Sequence, residues 1–205
     1  MDDRYRVALY FGSFNPIHKG HIALAEMVLE QDKADEVILV VSPQNPHKIY
    51  ADLAPEFMRF EMCELACAAS KYPDRIRVSA IEFTLERPSY TINTLRYLNE
   101  NFGDKMKFIL LLGADNISTI DTWYCYREIL RDYPILVYPR KGCDPGSYAD
   151  DADYMESAPL YDYSATVVRM ALRQHRPISD MVCPEVEEYI RKNDPWGLMK
   201  NESNE

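Results

Sequence analysis

The chain predicts an α/β fold: an open parallel sheet with helices on both faces and a small helical part at the carboxyl end. Three observations carry this. Short, nearly unbroken apolar runs recur, as strands covered on both faces require. Segments with apolar residues at helical spacing alternate with them. The strand-then-helix order repeats from the first residues onward, and in one sheet that order demands right-handed crossovers.

The elements follow in order. Residues 6–11 (RVALYF) read as a buried strand that stops at Gly12. Residues 12–18 hold Gly, Ser, Asn and Pro and form a tight loop. From Lys19 or Gly20, the positions Ile22, Leu24, Ala25, Val28 and Leu29 recur at helical spacing. Residues 36–42 (EVILVVS) form the second strand. A Pro-rich loop over 43–55 leads to a helix at about 55–72, and residues 76–81 form a third strand. A helix over 91–101 precedes the fourth strand at 107–112 (KFILLL), and residues 135–138 form the fifth. Residues 142–159, rich in Gly, Pro, Ser and Asp, read as a loop or insertion. A short strand near 160–163 and helices at 165–173 and 184–192 follow, with a frayed tail at 201–205. The chain is expected to form a single domain over 1–205, its carboxyl-terminal helical part at about 164–200.

Composition narrows the class. The 205 residues are 47% hydrophobic and 27% charged, the balance of a globular protein with one core. No stretch approaches the ~18 consecutive apolar residues of a membrane helix, and the charged start suits no signal peptide. The expectation is a cytoplasmic protein without a membrane partner. A net charge of −10 argues against a nucleic-acid partner, while leaving room for small phosphorylated ligands held by local cations and backbone amides. The five cysteines contain no C-x-x-C pair; Cys63 and Cys67 share a helix face, where burial is the simpler role. The acidic run Asp150, Asp151, Asp153 and Glu156 lacks a calcium-loop pattern and reads as a solvated loop.

The chemistry concentrates after the first strand. In parallel α/β sheets ligands bind beyond the carboxyl ends of the strands. There the chain reads G-S-F-N-P-I-H-K-G-H over 12–21. Gly12 permits a sharp turn, Gly20 permits close approach of a phosphate, and the following helix offers free N–H groups and its positive dipole end. His18 and His21 lie three apart in the first helical turn, placed to stabilise a phosphorus centre that gains charge. No third ligand at metal-binding spacing accompanies them, so no protein side chain is assigned to a metal. Far downstream, residues 163–169 read Y-S-A-T-V-V-R: Ser164 is placed to cap a helix, Thr166 to sit inside it, and Arg169 to offer a planar fork of donors.

These segments resemble the H-x-G-H and I-S-x-T-x-I-R motifs of the nucleotidylyltransferase superfamily, which has a Rossmann-like sheet. Tyr163 departs from the aliphatic residue more usual there. Three further segments narrow the resemblance to bacterial nicotinate-nucleotide adenylyltransferases: PQNPHK at 43–48, PSYTINT at 88–94, and G-A-D followed by W-Y-x-Y-x-x-I over 113–129. The likeness runs from about Leu9 to Ile190 and leaves 142–159 unmatched.

The resemblance implies that ATP and nicotinic acid mononucleotide are the substrates, giving nicotinic acid adenine dinucleotide and pyrophosphate, a step of NAD biosynthesis. It assigns His18, His21, Lys48 and Arg169 to the phosphates and the reacting centre. Gly12, Ser13, Phe14, Gly20, Gly113, Asp115, Ser164 and Thr166 are assigned to ATP, and Asn45, Ser89, Tyr90, Thr91, Trp123 and Tyr124 to the pyridine nucleotide. An indole face at Trp123 is a good platform for a flat ring, although taken alone a core role is the better reading. Mg²⁺ is expected as a cofactor carried on ATP and pyrophosphate. Both a monomer and a homo-oligomer stay open.

Overall fold

A computed structural model describes residues 3–43, 52–140, 142–144, 146–155 and 164–198. Six parallel strands form one sheet in the order β3-β2-β1-β4-β5-β6. They are β1 (Tyr5–Gly12), β2 (Glu36–Val41), β3 (Ile76–Ser79), β4 (Met106–Gly113), β5 (Ile135–Tyr138) and β6 (Asp153–Tyr154). Between and after them lie α1 (Lys19–Glu30), α2 (Glu56–Ala68), α3 (Ile81–Thr84), α4 (Thr91–Phe102), α5 (Ala114–Ile117), α6 (Tyr126–Asp132), α7 (Ala165–Arg173) and α8 (Pro184–Asn193).

Alternation along each strand sends side chains to two cores. Ala8 and Tyr10 of β1 join Leu39 of β2 and Leu111 of β4 under α1, α2, α7 and α8. Val7 and Leu9 join Val40, Leu110 and Val137 under α4, α5 and α6. Both faces are therefore apolar, which is why these strands read as continuous hydrophobic runs. Cys63 and Cys67 of α2 lie in the first core, where burial pushes the Cys67 thiol up to about 12.

Several expectations need correction. Residues 142–159 contain a sixth strand, since β6 pairs in parallel with β5 through Leu136 and Asp153. Two residues are too short a run to show a pattern. Asp153 of this edge strand is exposed and pairs with Lys33 at 2.7 Å. The third strand ends at Ser79, and Ile81 opens the short α3. The helices α5 and α6 fill a stretch where sequence periodicity was silent. The strand expected near 160–163 and the tail at 201–205 lie outside the described residues. Among the described residues no helix is long and apolar enough to cross a membrane.

One buried cation ties the sheet edge together. Arg59 of α2 is fully buried and donates to four backbone carbonyls: Ala54 (2.9 Å), Ser13 (2.6 Å), Ser42 (2.8 Å) and Pro43 (3.0 Å). These carbonyls lie after β1, after β2 and before α2, where no strand ladder can satisfy them. Arg59→Lys keeps the charge but loses the planar fork. At about 1–3 kcal/mol per buried group left unpaired, we expect a loss of at least about 2 kcal/mol in urea unfolding. A change below about 0.5 kcal/mol would contradict this role.

Candidate active site

Strand order reverses between β1 and β4, and a cleft of about 220 Å³ opens at their carboxyl ends. Gly12 and Gly113 end those strands, and at each an added Cβ would force a neighbouring side chain to shift. At Gly12 it would come within 2.9 Å of the Phe14 ring, and at Gly113 within 2.3 Å of Asp115 Oδ1. The chain leaves β1 through Phe14, whose φ of 44° lies in the left-handed region that large residues seldom adopt. Its buried ring is held edge-on by Tyr10 (5.5 Å) and His21 (5.1 Å).

Asn15 fixes the next step of the loop. It is 3% exposed; its Nδ2 donates to the Asp52 carbonyl, while its Oδ1 accepts from Ala54 N–H and from Trp196 Nε1. Its own carbonyl receives Arg169 Nη1 at 2.6 Å. Arg169 sits in the second turn of α7, a helix capped by Ser164, whose Oγ accepts from Val167 N–H. Arg169 is itself buried and also reaches Thr166 Oγ1 at 3.4 Å. The two sequence motifs thus meet beneath the loop.

The histidines are arranged in series. Their rings stack at 3.6 Å, His21 in the cleft wall and His18 behind it. His18 N–H donates to His21 Nδ1 at 3.1 Å, so neutral His21 carries its proton on Nε2. Burial pushes the His18 pKa down to about 4, with Arg140 adding to the effect. His21 is driven well below its usual value by burial, then by His18 and Arg140. Both are neutral donors at pH 7. Among the described residues the cation in the cleft wall is Arg140, which donates to Tyr138 Oη at 3.2 Å, lies 5.3 Å over that ring, and faces Asp115 at 3.5 Å. Tyr138 Oη is in turn hydrogen-bonded to Tyr10 Oη inside the core.

An aromatic wall completes the cleft. Tyr90 precedes α4, and its ring meets Tyr124 at 4.9 Å, with Trp123 half-buried beside them. Of the residues singled out from sequence, Gly12, Ser13, Phe14, His21, Ser89, Tyr90, Thr91, Asp115, Trp123 and Tyr124 line this one cleft. His18 instead lines a separate cavity of about 270 Å³ between α1, α2 and α8. Gly20 is half-buried in α1, while Ser164 and Thr166 are exposed at the start of α7. Asn45 and Lys48 lie outside the described residues. Sequence reasoning missed Arg140, Tyr138, Tyr10, Asn116 and Glu82, all in the cleft wall. Arg140 carried a usable signal, a cation two residues beyond the end of β5.

The cytidylyltransferase-like family model matches residues 9–171. A protein of Cytophaga hutchinsonii named "probable nicotinate-nucleotide adenylyltransferase" is 39% identical over 186 residues, covering 90% of this chain and 95% of its own. One of the same name from Bacteroides thetaiotaomicron is 37% identical over 191 residues, covering 93% of each chain. The solved nicotinic acid mononucleotide adenylyltransferase of Plasmodium falciparum, in complex with NaAD, has the same fold. Its TM-score is 0.78 at 18% identity, over 95% of this chain and 98% of its own. The fold and site define a nucleotidyltransferase of the cytidylyltransferase-like class. Within that class the chain belongs to the nicotinate-nucleotide adenylyltransferase family.

The shielded histidines make stability depend on pH. The folded pKa of His18, about 4, lies below the unfolded 6.5, so the unfolded chain binds the proton first and stability falls as pH drops through that window. The slope approaches about 1.4 kcal/mol per pH unit for each such histidine. Urea unfolding of the wild type and of His18→Asn from pH 7.5 to 4.5 checks this. An equal slope in both would show that His18 is not held neutral.

Proposed function

We propose that this chain transfers AMP from ATP to nicotinic acid mononucleotide, releasing pyrophosphate and forming nicotinic acid adenine dinucleotide. The observation that carries the reading is that one cleft holds both His21 at the start of α1 with Arg140 from beyond β5, and the Tyr90–Trp123–Tyr124 wall. The first suits phosphates, and the second suits a flat pyridine ring.

The acceptor's phosphate oxygen attacks the α-phosphorus in line. A phosphate monoester is largely ionised at neutral pH, so the reaction needs positioning and charge neutralisation more than a general base. His21 donates through Nε2–H to the oxygens that gain charge, and Arg140 supplies the cation beside it. The Tyr138–Tyr10 pair holds Arg140 in place. Arg169 acts from beneath the loop by fixing Asn15 and adding its charge to the local field. Lys48 keeps the phosphate role that its motif implies. Among the described residues no group of three or more His, Cys, Asp or Glu is placed to hold a metal. Mg²⁺ would be carried on the nucleotide's own phosphates, where it would neutralise charge.

The acid is distinguished from the amide by donors. A nicotinate carboxylate only accepts, and backbone N–H groups near Tyr90, Thr91 and Tyr124 suit it; an amide NH₂ turned toward them leaves groups unpaired.

Two measurements test the reading. His21→Ala is expected to lower kcat by about 10²–10³ with little change in ATP affinity. His21→Gln, whose amide nitrogen falls near the Nε2 position, is expected to recover more of that loss than His21→Asn. An alanine variant with over about half the wild-type kcat would remove His21 from the chemistry. Second, at saturating ATP, kcat/KM for nicotinic acid mononucleotide should exceed that for the nicotinamide form by about a hundredfold or more, two mismatches at ~1.4 kcal/mol each. Values within about tenfold would sink the carboxylate pocket.

A further inference from the structure

Glu82 is a carboxyl group that the reaction as described does not use. It lies in the short α3, is 2% exposed, and stands in the wall of the cleft. Thr94, buried in α4, donates to its Oε1 at 3.1 Å, and the Ser42 hydroxyl also faces the carboxyl group. Oε2 has no hydrogen-bond partner among the described residues. Neither has the shielded hydroxyl of Ser89, which lines the same cleft. Leaving a carboxylate oxygen unpaired at this depth is costly, and burial pushes the Glu82 pKa up. The terminal torsion of a glutamate is soft, so Oε2 can turn toward a ligand at little expense.

The chemistry of the missing partner follows from the chemistry of the group. An ionised carboxylate accepts hydrogen bonds and cannot donate them. On an acidic pyridine mononucleotide, the ring carboxylate and the phosphate are acceptors too, and the ring has no N–H. Only the ribose hydroxyls donate. A hydroxyl both donates and accepts, so it can satisfy Glu82 Oε2 and Ser89 Oγ together. Ser89 directly precedes Tyr90 of the aromatic wall, whereas Asp115 lies across the switch point beyond β4. We infer that Glu82, with Ser89, forms a subsite for a ribose hydroxyl of the acceptor mononucleotide. This rests on the proposed function, and it adds a residue that selects the sugar, independently of the donors that select the acid.

The test is pyrophosphate release at saturating ATP with nicotinic acid mononucleotide and its 2′-deoxy and 3′-deoxy ribose analogues. The wild type should lose at least about tenfold in kcat/KM with one of the two analogues, the effect of a hydrogen bond to a charged group. Glu82→Gln should raise the KM for the parent mononucleotide and leave that for ATP unchanged. Its deoxy-to-parent ratio should shrink to about threefold or less, since the charge assistance is gone. The ratio of acid to amide mononucleotide should stay at the wild-type value. Ser89→Ala should shrink the same deoxy ratio, and it serves if the Glu82 variant fails to fold. A wild type that uses both analogues as well as the parent would overturn the subsite and leave the proposed function standing. So would variants that keep the full wild-type discrimination. A Glu82 variant that changed the acid-to-amide ratio instead would place the ring amide at Glu82 and overturn the ribose assignment. No turnover of the parent by the wild type would sink the proposed function and the subsite with it.

Discussion

A parallel sheet delivers all its strand ends to one edge, and there the chain must turn back toward the helices. Carbonyls at such turns have left the ladder yet are still shielded from water. Here Arg59 meets that constraint, with one guanidinium binding four carbonyls after β1, after β2 and ahead of α2. An arginine suits the task because its five donors sit in a rigid plane. Burial lowers its pKa to about 10, so it remains a cation at neutral pH. The phosphate loop, Ser42 and the start of α2 are all tied together by this one side chain.

The second anchor is Asn15, which connects the loop to parts of the chain far away in sequence. Arg169 of α7 holds its carbonyl, and Trp196 near the carboxyl end holds its side-chain oxygen. The carboxyl-terminal helices therefore act as a brace for the loop, as well as covering one face of the sheet. With the loop braced, the stacked histidines can be shielded and neutral, and His21 has its tautomer set by the His18 N–H.

The electrostatics explain how a chain of net charge −10 offers a site for polyanions. Among the described residues the cations at the cleft are few and buried or half-shielded: Arg140 in its wall and Arg169 beneath it. In surroundings of lower dielectric a single fixed charge counts for more than several solvated ones. Surface carboxylates lie mostly in water, where screening weakens their opposition. Tyr138 and Tyr10 hold Arg140 from inside the core, so its position is part of the packing.

By itself the sequence determined the strands β1 to β5, with the end of β3 two residues too far, and the helices α1, α2, α4, α7 and α8, because burial on both sheet faces and helical periodicity are local patterns. It also determined the glycine-histidine loop, the Ser164 cap and the aromatic segments, each being a residue type with a reason at its spacing. Only the tertiary structure decided the rest. The strand β6 is two residues long and exists because β5 offers an edge. Arg59 and Glu82 look in sequence like surface charges, and their burial depends on partners brought in by the fold; Arg140 is half-exposed, and its place in the cleft wall depends on Tyr138. Tyr10 and Tyr138 meet across 128 residues of chain, and Arg169 and Asn15 across 154. Periodicity cannot register such pairs, since they are created when the crossovers stack distant strand ends at one edge of the sheet.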